Sequence, residues 1–372
     1  MNKACQVLIC TAMLIVTAAV SIFANTILLN ERQNLAPQQA PLKVSDNIKF
    51  GMDGKPGGRQ LETSPMLLTD EYIYFKDRVL ECYRYDKESV RKCSEILNNA
   101  LASIPEGINK YMMLIPMRIS FEPGEYQRYS DDVISAIKEI YANSAADVVT
   151  LDVSGVLAEH NDEYIFFRTD HVWTALGAYY AAQKFCVSAG INMIGIENYK
   201  EHRFNSYYGT FRVLHDAKTL SDYPDYVSYY IMEDAENAQT ITSRSSKDVY
   251  VTYDSPTVAL SRKGYNIFIG AHISNSILHG DAENGKTLMI VGDEYSKAFA
   301  PWLTPYYENI ILINPTFYNG SQKDFWNFFS DYQIADFLIM EYGNHLGYNT
   351  VNRKIDRIFE RLSIENTEKG VS

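Results

Sequence analysis

Basic residues are in deficit in this 372-residue chain: Lys and Arg total 34 against 46 Asp and Glu, giving a net charge of −12, and no basic run interrupts the acidity. This argues against a nucleic-acid partner, because binding phosphates needs a clustered positive patch. Cysteine is scarce as well. Of the five, Cys5 and Cys10 lie in or beside an apolar N-terminal run, which leaves Cys82, Cys93 and Cys186, an odd number without CxxC spacing. A zinc site built on paired cysteines is therefore not expected. Cys93 falls on the helical stripe Val90, Cys93, Ile96, Leu97 and Leu101 and reads as a buried, inert thiol; a disulfide between two of the three stays open, with no pair favoured. No period of about 20 to 50 residues recurs, which excludes a solenoid. A hydrophobic content of 46% excludes disorder as the main state. The 28 tyrosines and 17 phenylalanines suit a surface that meets sugars, although packing accounts for most of them.

Charge is also missing from the start of the chain. None appears between Lys3 and Glu31, and Val7 to Ala24 is continuously apolar before Ile27, Leu28 and Leu29. Roughly 20 such residues span a hydrocarbon core of about 30 Å. Residues 1–30 are read as a cytoplasmic tip and an uncleaved membrane anchor. Lys3 sits on the short side, so the rest of the chain is expected outside the cytoplasm. The alternative is a cleaved secretory signal ending at Ala24, which would leave a secreted protein. Residues 31–65, rich in Gln, Pro, Gly and Asn, read as a linker, and residues 66–372 as the folded domain.

Within that domain, 111–116, 147–152, 287–291, 309–314 and 336–340 are short apolar runs of the kind found in buried parallel strands. Helices are expected between them. One carries Val133, Ile134, Ile137 and Ile140 behind a cap at Ser130, and another runs from Trp173 to Ala189 until Gly190 stops it. The alternation predicts an α/β domain with a mostly parallel sheet flanked by helices. Chemistry in such a sheet gathers beyond the carboxyl ends of the strands. Two segments fall there: Thr169, Asp170 and His171 before one helix, and Gly292, Asp293 and Glu294 after one strand.

These segments resemble the DHHW protein family of bacterial surface proteins, SGNH-hydrolase-like relatives of alginate O-acetyltransferase proteins. The family's TDHHWT block with its GAYYAY-like helix is matched by Thr169, Asp170, His171, Val172, Trp173 and Thr174, then Gly177, Ala178, Tyr179 and Tyr180. KYMMLIP matches the early strand block, YYGTF at 207–211 the FxGT block, FIGAH at 268–272 the FxGGN block, and IVGDEYSKAF the KDSY block. The resemblance implies an SGNH-type fold with permuted motif order and an Asp–His–Ser triad that attacks an acyl carbonyl. Asp170 keeps the acid position. The base position is Val172, the nucleophile position Glu294, and the oxyanion Asn position His272.

Val172 cannot move a proton, and loss of a positioned base typically costs about 10² to 10⁴ in rate. A carboxylate about 4 Å from a developing oxyanion would repel it by about 4 kcal/mol at an effective dielectric of about 20. Glu294 reads more simply as a group that stabilises a helix N-terminus, and Val172 as a buried aliphatic. The expectation is a catalytically inactive domain that binds or organises cell-envelope polysaccharide, or assists an acyltransferase partner. The competing reading is an active O-acetyltransferase or acetylesterase that uses Ser296 and His171, although two helical positions rotate by about 200° and would turn Ser296 away. No cofactor is expected. No metal is either, the weaker alternative being zinc or manganese on Asp170, His171, His272 and Glu294. The glycan, the partner and the oligomeric state are not legible from the sequence.

Overall fold

Strands form where the apolar runs were read. A computed structural model describes residues 61–214, 216–232, 239–245, 250–255, 264–270, 273–347 and 349–359. The expected membrane segment, most of the linker and His272 lie outside them. Among the described residues no helix is long and apolar enough to cross a membrane.

In chain order the strands are β1 (Leu67–Leu68), β2 (Tyr72–Tyr74), β3 (Val79–Glu81), β4 (Asn109–Ile115), β5 (Val148–Thr150), β6 (Tyr199–Tyr207), β7 (Asp225–Met232), β8 (Gln239–Ser245), β9 (Tyr250–Ser255), β10 (Ile273–His279), β11 (Thr287–Gly292), β12 (Asn309–Ile313) and β13 (Ile334–Tyr342). Eight of these form one sheet in the order β5-β4-β13-β11-β12-β10-β8-β9. From β5 to β12 every pairing is parallel, whereas β10, β8 and β9 pair antiparallel. The sheet is thus mixed, a correction to the mostly parallel sheet expected, because the antiparallel wing has no long apolar run to announce it. β11 is buried at every position, as a strand covered on both faces must be. β13, the last strand in sequence, enters between β4 and β11, so the strand order reverses there and opens a crevice at the carboxyl edge.

Helices cover the sheet, and four of them begin at a side chain, Asp86, Asp132, Thr174 or Ser321, that accepts from free backbone N–H groups. The helices are α1 (Lys87–Ala102), α2 (Val133–Ala142), α3 (Ala175–Ser188), α4 (Gln322–Asp331) and α5 (Asn349–Phe359), with short turns of helix between them. Asp86 caps α1 and Thr174 caps α3. Asp132, not Ser130, caps α2: its carboxylate accepts from Ile134 N and Ser135 N. Ser130 instead accepts from Tyr83 N at 2.8 Å. Gly190, just past α3, adopts φ 69°, which favours glycine. Cys82, Cys93 and Cys186 are buried thiols. Burial pushes the Cys82 thiol up to about 11 and the Cys186 thiol up to about 12, so both stay protonated.

An antiparallel ribbon of β6 and β7 rests on Trp302, with Tyr199 and Tyr230 ring centroids 5.2 and 5.1 Å from the indole. At its end β7 delivers Asp225, 2% exposed, under the loop at 168–170. That carboxylate accepts from Tyr164 Oη at 2.6 Å, Arg168 N at 3.0 Å, Arg168 Nε at 2.9 Å, and Thr169 N and Oγ1 at 2.7 Å each. One buried acid thus sets the path of the loop that carries Asp170. Asp225→Ala is expected to destabilise the domain by about 3 to 5 kcal/mol, since it strands the Arg168 charge and several buried donors. Urea unfolding measures this, and a loss below about 1 kcal/mol would show that Asp225 does not organise the loop.

Candidate functional site

The acid block is a tight hairpin. Phe166 and Trp173 form an isolated antiparallel bridge, and Phe167 N donates to Val172 O at 3.3 Å. Val172 is 2% exposed and part of the main core. Asp170, 5% exposed, accepts from His171 N at 2.8 Å, from Thr210 Oγ1 at 2.7 Å and from the Tyr207 hydroxyl. His171 Nδ1 lies 2.9 Å from the same carboxylate. Burial raises the Asp170 pKa, but His171, Thr210 and Tyr207 outweigh it and hold the carboxyl down to about 2. Burial likewise lowers the His171 pKa, but Asp170 above all, with Glu81, raises it to about 9. The pair is therefore carboxylate and imidazolium at neutral pH. The YYGTF segment wraps around it: Gly209 N donates to Thr169 Oγ1 at 2.9 Å and Phe211 N to Thr169 O at 3.0 Å. Only glycine fits at 209, because a Cβ would stand 2.3 Å from Thr169 O and 2.4 Å from Asp170 Cβ.

The second block is the corner after β11. Asp293 accepts from Tyr295 N at 2.9 Å and from Tyr342 N at 2.7 Å. Glu294, with a side chain 33% exposed, pairs with the buried Lys297 ammonium and accepts from Asn314 Nδ2 at 3.1 Å. Ser296 is 1% exposed, and its hydroxyl donates to Asp293 O. Two hydrogen bonds join this corner to the acid block: Trp173 Nε1 donates to Tyr295 O at 2.9 Å, and the Tyr295 hydroxyl donates to His171 O. The buried Tyr265 phenol is raised well above its ordinary value, first by desolvation and then by the charges of Glu294, Asp170 and Asp293.

The third block, at the end of β13, was not anticipated. Tyr342 stacks on Tyr295 with centroids 4.8 Å apart and donates its hydroxyl to Glu81. Its ring lies 5.6 Å from both the His171 and the His345 imidazoles. His345 Nδ1 is 2.9 Å from Glu341 Oε2 and 3.5 Å from Asp293 Oδ2. Burial opposes charge on His345, but Asp293 and Glu341 raise it to about 10; burial pushes the Glu341 carboxyl up.

Of the residues expected from the sequence, Asp170 and His171 pair, and the Tyr295 hydroxyl on His171 O links them to the corner that carries Glu294, whereas Val172 turns into the core and the Ser296 hydroxyl is held by Asp293 O. The described residues close enough to share a cation are Asp293, Glu341 and His345. That is a different set from Asp170, His171, His272 and Glu294, of which His272 lies outside the described residues. Sequence reading missed Tyr207, Thr210, Glu341, Tyr342 and His345. The first two stand in a recognised block but bear no catalytic side chain, and the others follow an apolar strand run whose end was legible. Chemically, the site offers two imidazolium groups beside phenols and carboxylates. Such an array donates and accepts hydrogen bonds.

The model of the DHHW protein family matches residues 66–313. Among solved structures, a DHHW family protein from Eubacterium siraeum is similar at 22% identity with a TM-score of 0.67, covering 78% of this chain and 96% of that one. Bacillus cereus PatB1 is similar at 16% identity with a TM-score of 0.61, covering 76% and 98%. PatB1 with a sulfonyl adduct gives 13% identity and 0.61, covering 74% and 97%. At these identities the likeness shows a shared fold. No curated protein matches the chain.

The Asp170–His171 pair sets a pH window for stability. The raised His171 pKa contributes fully below 6.5 and is lost as pH rises through about 9; the lowered Asp170 pKa contributes fully above 3.8 and is lost as pH falls through about 2. The difference in thermal stability between wild type and His171→Gln is expected to peak from about pH 4 to 6.5 and to shrink through pH 9. A difference that stays constant up to pH 10 would contradict the pairing.

Proposed function

The chain belongs to the DHHW protein family, and from that premise we propose that its domain lies on the outer side of the cytoplasmic membrane, held there by residues 1–30. There it binds cell-envelope polysaccharide, beside an acyltransferase partner, without transferring an acyl group itself. The observation that carries this reading is the corner after β11, where a nucleophile would stand. Glu294 occupies it, held by Lys297 and Asn314, and repels any oxyanion formed nearby. What supports a binding role is the accessible part of the site: the His171 side chain, 25% exposed, and the exposed Thr210 beside it, polar groups able to meet the hydroxyls of a sugar.

The relocated-serine reading is less well supported. Ser296 Oγ spends its hydrogen on Asp293 O and is 1% exposed. His171, raised to about 9, already carries the proton that a general base would have to accept.

Two measurements test the proposal. A fluorophosphonate or sulfonyl fluoride is expected to label no serine, and wild type is expected to hydrolyse an aryl acetate no faster than Ser296→Ala; clear labelling or a faster wild type would establish an active serine enzyme. Retention of the full chain on isolated cell-envelope polysaccharide is expected to fall about tenfold or more with His171→Ala combined with Thr210→Ala. Equal retention of wild type and the double variant would remove the site from glycan binding.

A further inference from the structure

Asp293, Glu341 and His345 each offer a ligand atom, and all of these atoms lie within 4.8 Å of one another. The group differs from an ordinary ion pair in two respects. Glu341 is 0% exposed, and its Oε1 has no hydrogen-bond partner among the described residues, although a buried carboxylate oxygen normally finds a donor. Asp293, 4% exposed, is the second buried carboxylate, and one imidazole serves both. The cluster is short of positive charge and of one donor, and a cation supplies both. The spacing agrees with that. Donors placed about 2.1 Å from a tetrahedral or octahedral ion stand about 3.0 to 3.4 Å apart, and His345 Nδ1 stands 2.9 and 3.5 Å from the two carboxylates.

We propose that Asp293, Glu341 and His345 hold a divalent transition-metal ion, zinc by preference, at the carboxyl ends of β11 and β13. One imidazole nitrogen with two carboxylate oxygens is a ligand set that zinc accepts and that calcium or magnesium, which favour oxygen alone, do not prefer. On binding, the ion replaces the proton that His345 Nδ1 shares with the carboxylates, and that proton passes to solvent, while Nε2 keeps its hydrogen. The His345 side chain is 29% exposed, so the remaining coordination positions reach water or an oxygen of a bound molecule. Tyr342 separates the ion from His171, its ring 5.6 Å from each imidazole. The site stands on its own geometry and holds whether or not the domain binds polysaccharide.

The test uses the full chain, stripped with a chelator and titrated with zinc chloride alone, with bound metal counted by elemental analysis after dialysis. One zinc per chain is expected. Glu341→Gln and His345→Ala are expected to bind about 100-fold more weakly or not at all, while His160→Ala, whose ring stacks on Tyr180, binds as wild type. Absence of stoichiometric zinc in wild type, or undiminished binding in both ligand variants, would overturn the proposal and leave Glu341 as a buried protonated acid. If the variants do not fold, X-ray absorption of zinc-loaded wild type decides: one imidazole with oxygens at about 2.0 to 2.2 Å supports the site, and a shell containing sulfur or several imidazoles overturns it.

Discussion

Asp293 accepts the backbone N–H of Tyr295 with one carboxylate oxygen and that of Tyr342 with the other, and so ties the end of β11 to the end of β13. The strands are parallel neighbours, and each leaves free N–H groups where it departs from the sheet. A single buried acid satisfies both departures. The rest of the site follows from that bond. It brings the Tyr295 and Tyr342 rings into a stack, aims the Tyr295 hydroxyl at His171 O, and sets His345 over the crevice. Trp173 completes the frame from the other side by donating to Tyr295 O. An uncapped strand end there would leave buried donors unsatisfied and uncouple the acid block from the corner.

Charge balance explains why the site looks as it does. Asp170 has His171, Asp225 has Arg168, and Glu294 has Lys297, each a carboxylate with a cation of its own. His171 holds its proton because Asp170 stabilises the imidazolium, and the corner residue after β11 is a carboxylate committed to Lys297. Asp293 and Glu341, by contrast, share one imidazole. A deficit of positive charge inside a buried polar cluster is relieved by protonation or by a cation, since the low dielectric magnifies any imbalance.

Local rules recovered much of the frame. The runs at 111–116, 287–291, 309–314 and 336–340 became β4, β11, β12 and β13 to within a few residues, because a strand buried on both faces has to be apolar throughout. The helix from Trp173 also held, trimmed to its Thr174 cap. Asp132 displaced Ser130 as the cap of α2 because both can accept backbone hydrogens, and only the fold decided which one faced the helix; Ser130 was needed by Tyr83 N. The antiparallel wing of β8, β9 and β10 left no mark in the pattern, since its pairing depends on neighbours far away in the chain.

By itself the sequence determined the α/β alternation and the TDHVWT and GDEY blocks, with a valine at 172 and a glutamate at 294, because residue identity and short-range periodicity are local properties. The tertiary structure alone decided the partners. Tyr207 and Thr210 reached Asp170 because the chain after β6 folds back under the hairpin. Glu341 and His345 met Asp293 because β13, the last of the described strands in chain order, inserts beside β11 in the middle of the sheet. Burial then set the charge of each group, and burial is a property of the packed domain that no stretch of sequence carries by itself.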